Sequence, residues 1–283
     1  MGRWPDQSTY TPVVAPYSRI FVFLTGSESV ASLLGYVAGW ARPAARIHVA
    51  GLIRVPSTDE AALVRAPSLL QRIAMIATVD AACETLERHG FEVNKEMVET
   101  DALTGPTDAL ARAARAALAE LVIGAISGPA AFAVTVDCPL LVFPLPLGRR
   151  CRVPPRRVFV ASDGSAMSAY AVREAARIAA APGAQVRVGY LACDPAAARH
   201  PVDFSAVVLQ TQSADEDASH AIAAATQRWR PDLVVLGTYG ERLGAPQHEG
   251  RLVADVARRT ALPLLLVPRN SPWPGYAAPG GVH

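Results

Sequence analysis

Cysteine is scarce in this chain and its spacing is irregular: Cys83, Cys138, Cys151 and Cys193 are the four in 283 residues. No pair stands at Cys-x-x-Cys separation, so neither a zinc site nor a disulfide framework is expected, and four reduced thiols is the plain reading. Aromatics make up only 6% of the chain, which leaves few platforms for base stacking. Charged residues are 18% and the net charge is +2, which argues against wholesale electrostatic binding of nucleic acid. Long apolar runs are missing as well. Residues 121–147 carry a single charge, Asp137, but Pro129, Pro139, Pro144 and Pro146 interrupt them. A membrane helix needs about 20 uninterrupted apolar residues, so two buried strands are expected there instead. The first eight residues have no apolar stretch of the secretory kind, and a cytoplasmic protein is expected.

The usual catalytic signatures are absent too. There is no G-x-S-x-G elbow, no HExxH, no G-x4-GK-(S/T) loop and no His-x-Gly-His. His48, His89, His200 and His220 are scattered, so no metal cluster is expected. His248 and Glu249 are adjacent and could orient a water, but two polar residues of a solvent-exposed loop is the favoured reading.

What the chain does have is a 51% hydrophobic composition, enough for a substantial core, and an internal repeat. Residues 19–27 resemble 157–165 at an offset of 138, so Thr25-Gly26-Ser27 falls on Asp163-Gly164-Ser165. Later, 121–124 matches 234–237, and the Pro-Leu-Leu of 139–144 matches that of 263–268. The pieces keep their order, which points to two tandem domains. Within each half, short β-branched runs alternate with helical patterns, the mark of an α/β fold with a parallel sheet. Strands are predicted at 19–24, 46–53, 92–98, 120–125 and 139–143, then at 157–162, 185–191, 205–211, 232–237 and 263–267. Helices are predicted at 28–41, 67–89, 107–119, 166–180, 215–228 and 250–260. In helix 67–89 the apolar residues Leu69, Ile73, Ile76 and Cys83 are expected to form the buried stripe, with Gly90 as its cap. Arg149, Arg150, Arg152, Arg156 and Arg157, with Pro154 and Pro155, suggest a solvated, semi-rigid linker at 145–155; residues 1–16 and 270–283 are expected to be flexible tails.

Residues 233–236 are apolar, Gly237, Thr238 and Gly240 follow, and Gly250 comes nine residues after Gly240's successor segment begins, before Arg251 and Leu252. A buried strand emptying into a glycine-punctuated loop before a helix suits an anion. Helix N-termini carry unpaired N–H groups and positive potential, and glycine lets backbone donors approach closely.

These residues resemble the universal stress protein family in its tandem two-domain form, over roughly 17–144 and 156–269. The resemblance rests on Asp163-Gly164-Ser165 after the first strand, the Gly237-x2-Gly240-x9-Gly250 loop, and the terminal strand after Pro263. It implies two five-stranded, doubly wound parallel sheets of order 3-2-1-4-5, with a ligand at the switch point beyond strands 1 and 4. It also implies ATP or another adenine nucleotide as ligand, held by Ser162, Asp163, Gly237, Thr238, Gly240, Gly250, Arg251 and Leu252. Asp163 would face the nucleoside and the loop amides the phosphates. Asp163 also reads as a turn or helix-capping residue.

Two departures bear on that expectation. Arg251 stands where the family has Ser or Thr, and the second half is too short after residue 191 for a second helix. The first half departs further, with Thr25 for the aspartate and most of the glycine loop missing, so it is expected to bind no nucleotide and to pair with the second half through the terminal strands. Three readings of function stay open: a non-enzymatic, nucleotide-binding stress or regulatory protein, a ligand-free scaffold working by domain pairing and partner docking, and a slow nucleotide hydrolase. No nucleic acid, membrane or metal partner is expected, a further homodimer is admitted, and the Ala, Arg and Pro richness suggests a bacterial source.

Overall fold

A computed structural model describes residues 17–26, 30–54, 65–100, 105–124, 136–143, 152–163, 168–180, 183–191, 205–209, 216–238, 246–260 and 262–268. The first half supplies β1 (Tyr17–Leu24), α1 (Val30–Trp40), β2 (Ala41–Arg54), α2 (Arg65–Arg88), β3 (Glu92–Thr100), α3 (Pro106–Ala116), β4 (Leu121–Gly124) and β5 (Leu140–Val142). The second supplies β6 (Arg157–Ser162), α4 (Ser168–Ile178), β7 (Gln185–Leu191), β8 (Ser205–Leu209), α5 (Glu216–Trp229), β9 (Leu233–Thr238), α6 (Pro246–Arg259) and β10 (Leu264–Pro268). The fold is α/β, with a mainly parallel sheet.

The expectation of two separate sheets is corrected. All ten strands form one sheet in the order β3-β2-β1-β4-β5-β10-β9-β6-β7-β8. Every neighbouring pair is parallel except β5 with β10, which run antiparallel with Leu265 opposite Leu141, Leu264 opposite Val142 and Leu266 opposite Leu140. That register is symmetric about Leu141 and Leu265. Two short strands that are buried along their length thus cover each other's edges, and neither half presents a free inner edge.

Strand residues alternate between two helix layers, as the two-residue period of a strand requires. Ile20, Val22, Val158, Val160, Leu233 and Val235 face the layer of α1, α2 and α4. Phe21, Phe23, Phe159, Ala161, Val234 and Leu236 face the layer of α3, α5 and α6.

The same capping device occurs in both halves. Glu120, just before β4, accepts from the backbone N–H of Ser18 at 2.7 Å and of Arg19 at 3.3 Å. Asp232, just before β9, accepts from those of Arg156 at 2.8 Å and Arg157 at 2.9 Å. Leu118 and Arg230, two residues before these acids, both have positive φ, 52° and 53°. Each carboxylate ties down the entry of a central strand whose first amides have no partner of their own.

The registers refine the alignment of the halves. Ile20 pairs with Leu121 as Val158 pairs with Leu233. Gly124 therefore corresponds to Leu236, one residue earlier than the Gly237 that the matching of 121–124 with 234–237 suggests. Phe23 explains the glycine. A Cβ on Gly124 would lie 2.3 Å from the Phe23 ring, whereas the second half puts Ala161 where Phe23 stands and Leu236 where Gly124 stands. The bulk sits on opposite strands of the two halves.

The halves also meet through side chains. Tyr17, fully buried at the start of β1, donates its hydroxyl to Glu174 of α4 at 2.5 Å. Arg177 pairs with the same carboxylate and lies over the Tyr17 ring, 4.4 Å from its centroid. Reciprocally, Val153 of the connecting segment rests on α1, where a Cβ on Gly39 would be 1.8 Å from Val153 Cγ1. Arg152, Arg156 and Arg157 are exposed, while Pro155 between them is buried.

Of the core stripe expected in α2, Cys83 is buried and the other three residues are not. Met75, Val79, Ala82, Cys83 and Leu86 are buried, while Leu69, Ile73 and Ile76 are exposed. Spacings of three and four occur on two faces of this helix, and the periodicity alone did not say which one meets the sheet. Among the described residues no helix is long and apolar enough to cross a membrane.

Candidate functional site

The sheet order makes β6 and β9 neighbours, with β7 leaving on one side and β10 on the other. The pairing of β6 with β9 runs to Val160 opposite Val235, before either strand ends. Beyond that point β6 runs on toward α4 in one layer and β9 toward α6 in the other. A crevice opens at such a divergence, at the carboxyl ends of the strands. The chain places four of the expected residues there: Ser162 closing β6, Asp163 directly after it, and Gly237 and Thr238 closing β9.

Their environments differ. Ser162 is 1% exposed, and its Oγ lies 2.8 Å from Oγ of Ser168, the first residue of α4. That hydroxyl pair fastens the strand end to the helix start, so Ser162 serves the frame of the crevice. Asp163 is exposed at its mouth, where a carboxylate keeps its solvation. Gly237 is half-buried and pairs with Val267. Thr238 is buried, pairs in register with Pro268, and its Oγ1 has no hydrogen-bond partner among the described residues. A buried hydroxyl without a partner costs roughly 1–3 kcal/mol, so a hydroxyl kept at this strand end is fit to meet an incoming polar group.

The glycine loop is only partly described. Gly240 lies outside the described residues. Gly250 and Arg251 lie inside α6, whose first residue is Pro246, so Gly250 does not precede the helix as the sequence reading has it. Proline at the first helical position has its φ already set and no N–H to leave unpaired, which favours a start there. The first-turn amides of α6 without an intrahelical acceptor are then those of residues 247 and 248, and the amides of Glu249 and Gly250 fall in the hydrogen-bonded part of the helix. Leu252 is half-buried and packs with Val253 and Val256 against the α5 layer. That packing helps hold α6 against its layer. The side chains of His248, Glu249 and Arg251 lie outside the described residues.

Tyr190, near the end of β7, stands beside Ser162 in the strand register. Burial pushes its phenol above the usual range, so it stays protonated at neutral pH. The sequence offered no sign of it, because a tyrosine in a strand reads as ordinary core. The segment 192–204, where a second helix is expected to be missing, lies outside the described residues.

The matching end of the first half is closed differently. Gly26 follows β1 with φ +86°, and a Cβ there would meet Met75 Cε of α2 at 3.3 Å. Gly51, beside Leu24 in β2, is pressed by Met75, Val79 and Met97, each 2.8 Å from where its Cβ would stand. Helix α2 thus lies tightly over these strand ends. The remnant loop at 125–135 lies outside the described residues.

His48 is remote from the crevice. Its ring stacks on Phe21 with centroids 5.4 Å apart, and its Nε2 is 3.3 Å from a Glu96 carboxylate oxygen, on strands β2 and β3. Among the described residues no cluster of three His, Cys, Asp or Glu side chains could hold a metal ion.

No protein-family model and no curated protein sequence matches the chain. Solved structures do match. A universal stress protein from Archaeoglobus fulgidus superposes with TM-score 0.67 at 14% identity, covering 90% of this chain and 97% of its own. A chain assigned to the universal stress proteins from Pseudomonas aeruginosa gives 0.60 at 13% identity, covering 89% and 93%. The cytoplasmic domain of a prokaryotic cation chloride cotransporter gives 0.51 at 10% identity, covering 90% and 96%. The fold is therefore one that universal stress proteins have. Identities this low establish the fold and nothing finer, and the third match shows the same frame serving a different protein.

Proposed function

We propose that this chain is a duplicated, universal-stress-protein-like regulatory protein that binds an adenine nucleotide in its second half only, without catalysing a reaction. The observation that carries this reading is Thr238, a buried hydroxyl with no partner among the described residues, at the strand end where β6 and β9 diverge. Asp163 would take ribose or base hydrogen bonds at the mouth, where it is far enough from phosphate to avoid like-charge repulsion. The first-turn amides of α6, with Arg251, would face the phosphates. Duplication accounts for the repeated strand order, the paired carboxylate caps and the symmetric join of β5 with β10.

Isothermal titration of the whole chain with ATP, ADP and AMP tests the reading. Saturable binding with one site per chain, weakened by Asp163→Ala, is the expected result. No saturable heat at millimolar ligand refutes it. One observation favours the scaffold reading as second choice: α6 begins at Pro246, which withdraws the Gly250 amide from the loop. Phosphate release above blank, lost in His248→Ala or Glu249→Ala, is what the hydrolase reading would require.

A further inference from the structure

Helix α2 carries an apolar stripe that its own fold leaves uncovered. Leu69 is 59% exposed, Leu70 68%, Ile73 55% and Ile76 40%. The buried row of this helix, Met75, Val79, Ala82 and Leu86, lies roughly 140° around the axis at 3.6 residues per turn, so the stripe has no part in holding α2 to the sheet. Residues 69 to 74 are all exposed, so this end of the helix reaches past the neighbours that bury Met75. Spacings of four and three from Leu69 to Ile73 to Ile76 are those of a helix–helix seam.

We propose that this stripe is the contact between two copies of the chain, α2 packing antiparallel on α2 about a two-fold axis at Ile73. About that axis Leu70 of one copy meets Ile76 of the other, and Leu69 meets Ala77, so the apolar surface faces its own copy and complements itself. Charge selects this occupant over others. Arg72 is paired with Glu99 at 2.5 Å and Asp80 with Lys95 at 2.5 Å, so the charged residues described beside the stripe are neutralised within their own chain. An acidic helix or an anionic bilayer would call for unpaired cations at these places, whereas a copy of the same neutral seam needs none. The four side chains expose about 400 Å² per copy, and with their flanks two copies bury on the order of 1,000 Å², the size of a weak, reversible interface.

Sedimentation equilibrium of the full chain over roughly 5–500 µM tests this, the range in which an interface of that size associates. The expected mass rises with concentration from 29.9 kDa toward twice that value. Ile73→Asp should stay at the monomer mass throughout, with the circular dichroism and denaturation midpoint of the parent, since residue 73 is exposed. Gln71→Asp, exposed on the same helix but roughly 160° around its axis from Ile73, should associate like the parent. A parent chain that is monomeric over the whole range overturns the inference, as does Ile73→Asp associating within twofold of the parent. A monomeric parent that co-sediments with phosphatidylserine vesicles through Ile73 overturns it in favour of a lipid surface.

Discussion

Exchanging the bulky partner between β1 and β4 should cost far less than changing either strand alone. Val22 pairs with Ile123, which sets Phe23 beside Gly124, and Val160 pairs with Val235, which sets Ala161 beside Leu236. Phe23 is fully buried and three of its ring atoms would lie 2.3, 2.4 and 2.6 Å from a Cβ on Gly124. Phe23→Ala leaves a cavity and should destabilise by about 3–5 kcal/mol. Gly124→Leu forces a side chain into the ring and should cost about 3 kcal/mol, at the upper end for overpacking. If the two effects were independent, the double variant would lose about 6–8 kcal/mol. It instead recreates the arrangement of the second half, with the small residue on the first strand and the leucine on the fourth. Its expected loss is about 1–2 kcal/mol, a coupling of about 4–7 kcal/mol. Guanidinium denaturation followed by circular dichroism, with midpoints converted through a common slope, measures all four corners of the cycle. Additivity within about 0.5 kcal/mol would refute the reasoning, because it would mean that residues 23 and 124 do not fill one space.

Other changes give separate readings. Thr238→Val should stabilise the unliganded chain by about 1 kcal/mol, because the buried hydroxyl goes, and weaken ADP binding by roughly five- to tenfold, because the ligand loses its partner; thermal denaturation and titration calorimetry read the two effects, which must have opposite signs. Tyr17→Phe should cost about 1.5–3 kcal/mol in chemical denaturation, the loss of a buried hydrogen bond to the Glu174 carboxylate. Asp232→Ala and Glu120→Ala should each cost about 1–2 kcal/mol and should add in the double variant, since the two caps share no partner. Burial, with a smaller contribution from Asp137, pushes the Cys138 thiol up to about 12, against 9.0 for a free thiol. The stability that goes with the protonated thiol is full below pH 9 and is lost as pH rises toward 12, because the unfolded chain releases its proton first; Cys138→Ala should flatten that alkaline decline in the denaturation midpoint.

Most strands and helices were legible because periodicity and punctuation agreed. Strands 157–162 and 185–191 match β6 and β7 to the residue, since Val158, Val160, Val186 and Val188 alternate against one helix layer. The join of the halves was less legible. The Pro-Leu-Leu segments marked two edge strands, but nothing in a single sequence distinguishes two sheets that abut from one sheet that continues. What decides it is the backbone pairing of Leu141 with Leu265. The polar join of Tyr17, Glu174 and Arg177 was not visible either, because its members lie 157 residues apart and each alone reads as a surface or strand residue. In α2, Leu69, Ile73 and Ile76 misled because the exposed stripe repeats as regularly as the buried one.

The candidate site divides along a physical line. Ser162, Asp163, Gly237 and Thr238 were legible because strand ends follow from strand assignment, and the order of the strands then brings them together. The position of the helix start was not, because two signals compete over five residues. A glycine pattern puts the loop's end at Gly250, while Pro246 offers a first helical residue whose φ is fixed and whose missing N–H costs nothing there. The structure follows the proline. With a rise of 1.5 Å per residue, the unpaired amides sit about 3–4.5 Å before Gly250, the place that the glycine spacing marks. If a phosphate binds here, its donors are the amides of residues 247 and 248, and Gly250 matters through helix geometry. Gly250→Ala should then leave ADP affinity within about twofold of the parent, where a loop glycine approached by phosphate would lose tenfold or more. Titration of that one variant separates the two placements of the anion.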